Sequence, residues 1–194
     1  TNVEALKKIL KVINEVGIKK FLFLSSVAVY GISKLAIDEK SPKAPVNHYG
    51  RSKLMAEELL LEWAVSNKNS KLIIIRPTAV FGNKNIGNIF RLFKASTSNK
   101  FILPGAGGAI KSIAYVKNIV DSVIYCVNEL NEKNIIYNYS DYPQLDTESL
   151  SFKISENLSI KKPFKIPLIL TKLISYPIDF LEFLTSKDLK INSM

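Results

Sequence analysis

The sequence predicts an α/β fold built on a parallel sheet, and three observations carry that prediction. Two short apolar runs, Phe21–Leu24 and Leu72–Ile75, are continuous rather than alternating, the pattern of strands buried on both faces. Segments of helical spacing precede and separate them. Leu6, Ile9, Leu10 and Ile13 recur at helical intervals, and a second helical pattern runs from about residue 48 to Ser66. The resulting order of helix, strand, helix, strand is that of a parallel sheet with helical crossovers.

The elements follow in order. The first helix spans about Glu4 to Val16 and stops at Gly17. Lys19 and Lys20 lead into the first strand, which ends at Ser25 and Ser26, where open α/β sheets present groups to ligands. Residues 32–47 form a polar loop with Pro42 and Pro45. The second helix turns Leu54, Leu59, Leu61 and Trp63 to the core, and after a turn at 67–70 the second strand runs to Arg76 and Pro77. From Gly82 the texture changes. A short helix is expected at Ile89–Ala95, a strand at Phe101–Leu103, a glycine-rich turn at 104–108 and a strand at Ile113–Val116. A helix from about Asn118 to Leu130, a strand at Ile135–Tyr139 and a helix ending at Asn157, capped by Asp146 or Thr147 with Asp146 the better cap, complete the regular structure. The glycine-rich turn lacks the spacing of a dinucleotide fingerprint and opens no helix directly. Residues 1–82 form one part, and 83–194 form a second with segments near 113–140 returning to the first sheet.

The apolar tail, Ile166 to Leu184, is interrupted by Lys172, Pro177, Asp179 and Glu182. That pattern excludes an integral membrane span and reads as two amphipathic helices packed on a partner domain, the alternative being a membrane-surface or oligomer contact.

Composition narrows the function. The 194 residues carry a net charge of +10 and 47% hydrophobic residues, a balance suited to a globular core. The surplus is lysine, scattered along the chain, and the arginines are Arg51, Arg76 and Arg91 alone, so a nucleic-acid reader is not indicated. The charge can steer an anionic small molecule. Cys126 is the only cysteine and sits in an apolar run, which excludes a disulfide framework and fits a reducing, cytoplasmic compartment. His48 is the only histidine, so no histidine-based metal cluster is expected. No signal peptide is present, and an opening inside a helix without a methionine reads as a fragment.

The chemistry centres on Tyr49 and Lys53, four residues apart and therefore stacked on one helix face. A phenol beside an ammonium is a usable acid/base pair, because the positive charge favours phenolate. The spacing is common by chance and gains weight only from its context: a serine pair ending the preceding strand, and a second strand ending at Arg76-Pro77.

With that context the sequence resembles the extended short-chain dehydrogenase/reductase family, in particular its nucleotide-sugar epimerases and dehydratases. The resemblance rests on Ser25-Ser26-Val27-Ala28-Val29-Tyr30-Gly31, Tyr49-Gly50-Arg51-Ser52-Lys53 and Ile75-Arg76-Pro77-Thr78-Ala79-Val80-Phe81-Gly82. Asn2-Val3, Lys111–Asn118 and Ile136-Tyr137-Asn138 extend it over nearly the whole chain. It implies the C-terminal part of a Rossmann-type doubly wound sheet with a small substrate-binding region, lacking the family's glycine-rich loop. Tyr49 is the implied acid/base group, Lys53 the ribose-holding partner, and Ser26 the hydrogen-bonding partner of the reacting oxygen.

Asn2 and Thr78, with Ser26, Tyr49 and Lys53, are the implied contacts to NAD or NADP. The implied substrate is a nucleotide-diphosphate sugar, met by Ser26, Tyr49, Ala79 and Lys111. At Ala79 some epimerases carry a substrate-binding asparagine, and at Lys111 relatives place an arginine, so lysine keeps the charge without the bidentate fork. The resemblance also implies a homodimer and a role in surface polysaccharide synthesis. A nucleotide-sugar 4-keto reductase and a catalytically silent cofactor-binding or scaffold member are the alternatives.

Overall fold

The computed structural model of the chain describes residues 2–33, 35–98, 101–104 and 110–167. In chain order the elements are α1 (Asn2–Val16), β1 (Lys20–Leu24), a 3-10 turn (Val27–Tyr30), α2 (His48–Ser66), β2 (Lys71–Pro77), β3 (Ala79–Phe81), α3 (Asn88–Ser96), β4 (Ile102–Pro104), β5 (Ile110–Lys111), β6 (Ile113–Tyr115), α4 (Val116–Asn128), β7 (Asn134–Tyr139), β8 (Leu145–Asp146), α5 (Thr147–Asn157) and β9 (Phe164–Ile166). They divide into two compact units, residues 1–85 with 112–144 and residues 86–111 with 145–194.

The first unit is built on a parallel sheet of order β1-β2-β7. Lys20 to Leu24 pair with Lys71 to Ile75, and Leu72 to Pro77 pair with Asn134 to Tyr139. Central β2 is buried from Leu72 to Pro77, as a continuous apolar run requires. On one face α1 and α2 bring Leu6, Leu10, Ile13, Ala56, Leu60 and Trp63 against Leu72 and Ile74. On the other, Cys126 and Val123 of α4 meet Ile73 and Ile75. A short parallel pair, β3 with β6, continues from the end of β2. α1 stops at Gly17, whose φ of +75° is the left-handed conformation glycine adopts most readily, and the Gly17 N–H donates to the Ile13 carbonyl at 3.0 Å.

Two expectations need correction. β1 was expected to be buried on both faces, yet it is only half-buried and Leu24 is 41% exposed. Among the described residues β1 pairs with β2 alone. The core face of α2 is also rotated from the one expected. Ala56, Glu57, Leu60, Trp63 and Ala64 are buried, while Leu59 and Leu61 pack at the margin and Leu54 is half-buried. Small residues at 50, 56 and 64 let the helix lie close to its neighbours, and close approach favours the alanine-bearing face over a leucine-bearing one.

The second unit contains α3 and α5 packed together, with the short pairs β4–β9 and β5–β8. Ser151 and Ser155 are fully buried and return their hydroxyls to carbonyls one turn back, at 2.8 and 3.0 Å. Asp146 caps α5 as expected, accepting from the Ser149 N–H at 2.6 Å. Burial accounts for Cys126, a free thiol, also as expected. No helix among the described residues is long and apolar enough to cross a membrane. The expected glycine-rich turn falls largely, and the tail beyond Pro167 wholly, outside the described residues.

Candidate active site

The carboxyl end of β1 gathers the chemistry. After Leu24 the chain turns through Ser25 and Ser26 into the 3-10 turn. Ser26 caps that turn, its Oγ accepting from the Ala28 N–H at 3.2 Å, and its side chain is half-buried.

α2 begins against the same turn. Asn47 caps it, accepting from the Gly50 N–H at 2.8 Å. Gly50 is required by close approach: a Cβ there would lie 2.4 Å from the Ala28 carbonyl oxygen and 3.0 Å from Pro45 Cβ. Glycine between Tyr49 and Arg51 therefore lets the tyrosine-bearing turn sit on the serine-bearing one. Tyr49 is 52% exposed, open to a ligand.

Lys53, one turn on, reaches back to the strand. Its Nζ donates to the Leu24 carbonyl at 2.7 Å and lies 4.8 Å from the Phe23 ring centroid and 5.8 Å from that of Tyr49. Burial lowers the Lys53 pKa, working against the Glu57 carboxylate, which raises it. The ammonium is thus tethered at the strand end beside the tyrosine ring.

Thr78 follows the adjacent parallel strand β2. Its N–H donates to the Tyr139 carbonyl at 2.9 Å, while its buried Oγ1 has no hydrogen-bond partner among the described residues. A buried hydroxyl without a partner is costly, and a bound polar ligand would relieve it. Ala79 is exposed at the start of β3, its N–H donating to the Ser112 carbonyl at 3.4 Å. Lys111 is exposed on β5 and belongs to the second unit. Asn2 is the first residue of α1. The first unit thus brings Ser26, Tyr49 and Lys53 to the end of β1, and Thr78 and Ala79 to the end of β2. It does not contain Lys111, and Asn2 is the first residue of α1.

The sequence reading missed a buried network beside this group. A strand-end serine commonly returns its hydroxyl to nearby backbone. Instead the Ser25 Oγ donates to Glu57 Oε1 at 2.5 Å, and it is the Ser25 N–H that continues the ladder, to the Ile75 carbonyl at 2.7 Å. A carboxylate buried within reach is the stronger acceptor. Arg76 donates through Nε to Glu57 Oε1 at 2.9 Å and through Nη2 to Oε2 at 2.6 Å, with Nη1 on the Tyr30 hydroxyl. Burial works against the guanidinium charge, and hydrogen bonds and the charge of Glu57 outweigh it, raising the Arg76 pKa. The signal was present: a lone arginine closing a buried strand demands a buried acid, and Glu57 continues the four-residue step of Tyr49 and Lys53. Among the described residues no cluster of acidic, histidine or cysteine side chains could hold a metal ion.

Comparison with known proteins gives a consistent answer. The model of the NAD dependent epimerase/dehydratase family matches residues 1–139. The chain is 39% identical over 195 residues to the N-acetyl-α-D-glucosaminyl-diphospho-ditrans,octacis-undecaprenol 4-epimerase of Escherichia coli O157:H7, covering 100% of this chain and 59% of that protein. It is 27% identical over 161 residues to the UDP-glucose 4-epimerase of Vibrio cholerae, covering 76% of this chain and 45% of that one. The fold matches the UDP-Glc/GlcNAc 4-epimerase from Campylobacter jejuni with a TM-score of 0.70 at 21% identity, over 86% of this chain and 57% of that structure. It matches the UDP-glucuronic acid 4-epimerase from Bacillus cereus, solved in complex with NAD, with a TM-score of 0.72 at 18% identity, over 86% and 56%. The chain therefore spans between 45% and 59% of the length of these proteins. With a parallel sheet presenting serine, tyrosine and lysine at one strand end and a family match over most of its length, the chain belongs to the NAD dependent epimerase/dehydratase family.

Proposed function

We propose that the protein carrying this chain is an NAD-dependent sugar 4-epimerase, with Tyr49 as its proton-transfer group. The observation that carries this reading is the Lys53 ammonium, tethered to the Leu24 carbonyl at the end of a parallel strand and 5.8 Å from the Tyr49 ring. Tyr49, half-exposed, takes the proton of a sugar hydroxyl as the carbon beneath it is oxidised, and returns it when the ketone is reduced on the opposite face. The ammonium stabilises negative charge on the phenol oxygen throughout. Ser26, at the same strand end, hydrogen-bonds the reacting oxygen. NAD supplies the acceptance and return of hydride. The residues fit such a cofactor: Thr78 offers a buried hydroxyl with no partner among the described residues, and Lys53 is assigned to the ribose on the family resemblance. Asn2 is assigned to the cofactor on the family resemblance, and Lys111 and Ala79 to the substrate.

The substrate is a diphosphate-linked sugar, and two carriers compete. A nucleotide diphosphate agrees with the UDP-sugars named in several relatives and neighbours. A polyprenyl diphosphate is favoured by one specific observation, the higher identity, over the whole chain, to the undecaprenol-linked epimerase. Both serve surface polysaccharide synthesis on the cytoplasmic side of a membrane. A homodimer completes the proposal.

The test is turnover by the full-length protein with NAD, on UDP-N-acetylglucosamine, UDP-glucose and polyprenyl-diphospho-N-acetylglucosamine. Epimerised product is expected from one carrier class. Tyr49→Phe is expected to lower kcat by about 10²- to 10⁴-fold with NAD binding retained. Undiminished turnover in that variant would remove Tyr49 from the chemistry.

A further inference from the structure

Glu57 and Arg76 are 1% and 0% exposed, and the chemistry above gives neither a part. A buried ion pair contributes little net stability, because desolvation offsets the attraction, so its connections matter more than its strength. Glu57 lies on the face of α2 that carries Tyr49 and Lys53, one turn further on. Its Oε1 accepts from both Ser25 Oγ and Arg76 Nε, and its Oε2 from Arg76 Nη2. Ser25 stands between two working positions: Leu24, whose carbonyl tethers Lys53, and Ser26. Arg76 also reaches the Tyr30 hydroxyl, on the 3-10 turn that Ser26 caps, and Tyr30 donates to Asn138 Oδ1 at 2.9 Å. The groups that hold Ser26, Tyr49 and Lys53 thus meet at one carboxylate.

We propose that Glu57 is a positioning residue: held by Arg76, its carboxylate fixes Ser25 and thereby sets the Leu24 carbonyl and Ser26 against Lys53 and Tyr49. The assignment to catalysis rests on the reading of Tyr49 as the proton-transfer group; the geometry does not. The residue types suit the task. Glutamine at 57 keeps an acceptor for Ser25 but leaves the buried guanidinium without a counter-charge. Lysine at 76 keeps the charge but loses the parallel pair of bonds to the carboxylate and the third to Tyr30.

The experiment uses the full-length protein and two variants. Ser25→Ala cuts one link without disturbing a buried charge, and Glu57→Gln removes the hub's charge. Four quantities are read: melting temperature, kcat per folded molecule, KM, and the rate at which an amine-acylating reagent modifies Lys53, followed by mass spectrometry. The last requires no turnover. Ser25→Ala is expected to lower kcat by roughly 10-fold, the scale of a sub-ångström misplacement, while melting stays near wild type. KM should change by less than about 3-fold, since the loss falls on the reacting geometry. Lys53 should be acylated several-fold faster as its tether loosens. Glu57→Gln should move further in the same directions and also melt earlier. Wild-type kcat per folded molecule and wild-type Lys53 acylation in Ser25→Ala would overturn the proposal, whatever the melting temperature. If no sugar is turned over by the wild type but Lys53 acylation still responds, the functional reading falls and the positioning stands.

Discussion

The two faces of β2 are made by alternate residues of one strand and end differently. Leu72 and Ile74 face α1 and α2, and Ile73 and Ile75 pack with Cys126 on the opposite side. The next residue, Arg76, reaches Glu57 of α2, so the α2 face closes with a buried ion pair. Among the described residues the α4 side closes without a pair of opposite charges. There the Tyr137 hydroxyl meets Cys126 Sγ at 2.6 Å and Ser122 Oγ at 3.0 Å. A strand period of two thus sends charge to the side that carries Tyr49 and Lys53 and leaves the other for packing. The contrast teaches that one strand can serve both a site and a core when its last inward residue changes type.

Breaking the charged face should have the largest effect. Arg76→Leu leaves Glu57 buried without a counter-charge and should cost about 3–5 kcal/mol in urea denaturation. Changing both Arg76 and Glu57 to leucine should recover most of that loss, since the apolar pair leaves no buried charge. A double variant as unstable as the single one would show that the pair's geometry, not its charge balance, holds the fold. On the opposite face Ile73→Ala should cost about 2–5 kcal/mol through the cavity it leaves, with kcat per folded molecule unchanged. A fall in that kcat would show that the faces are coupled.

Smaller effects sharpen the contrast. Gly50→Ala drives a methyl into the Ala28 carbonyl and should cost about 1–3 kcal/mol, lowering turnover because α2 shifts away from the Ser26 turn. Asn47→Ala removes the α2 cap and should cost about 1 kcal/mol. The α4 face should report itself through pH. Burial, with the hydrogen bond the phenol makes to Cys126 Sγ, pushes the Tyr137 phenol up to about 12. Its folded pKa exceeds the unfolded one, so its contribution is present below pH ~10 and is lost as pH rises toward ~12. Alkaline melting of Tyr137→Phe should therefore show a shallower fall in that window than the wild type. Parallel slopes would mean that another group governs it.

The extent to which the sequence revealed this differs between its parts. β2 was legible because six successive apolar or charged residues ending at a proline leave few alternatives, and the α5 cap because Asp146 acts on its own neighbours. β1 was misjudged because a strand's cover depends on what pairs with its outer edge, which no local pattern records. The core face of α2 was misjudged because both its faces are rich in apolar residues, and only the approach of α1 and the sheet chose between them. The nearness of Lys53 to Tyr49 was legible from their spacing, and the place of Ser26 from the apolar run it follows. The partners of Ser25 were missed because Glu57 lies 32 residues away from it, and nothing local distinguishes a buried glutamate from a solvated one.

By itself the sequence determined the parallel α/β architecture, the strand ends at Ser26 and Arg76, and the Tyr49–Lys53 stripe. These follow from periods of 2 and 3.6 that act over a few residues. Only the tertiary structure decided that Lys53 is tethered by the Leu24 carbonyl, that Gly50 admits the turn carrying Ser26, and that Glu57 joins both strands through Ser25 and Arg76. Those contacts join residues 19 to 32 positions apart, and their strength comes from burial, which arises only when the elements have packed.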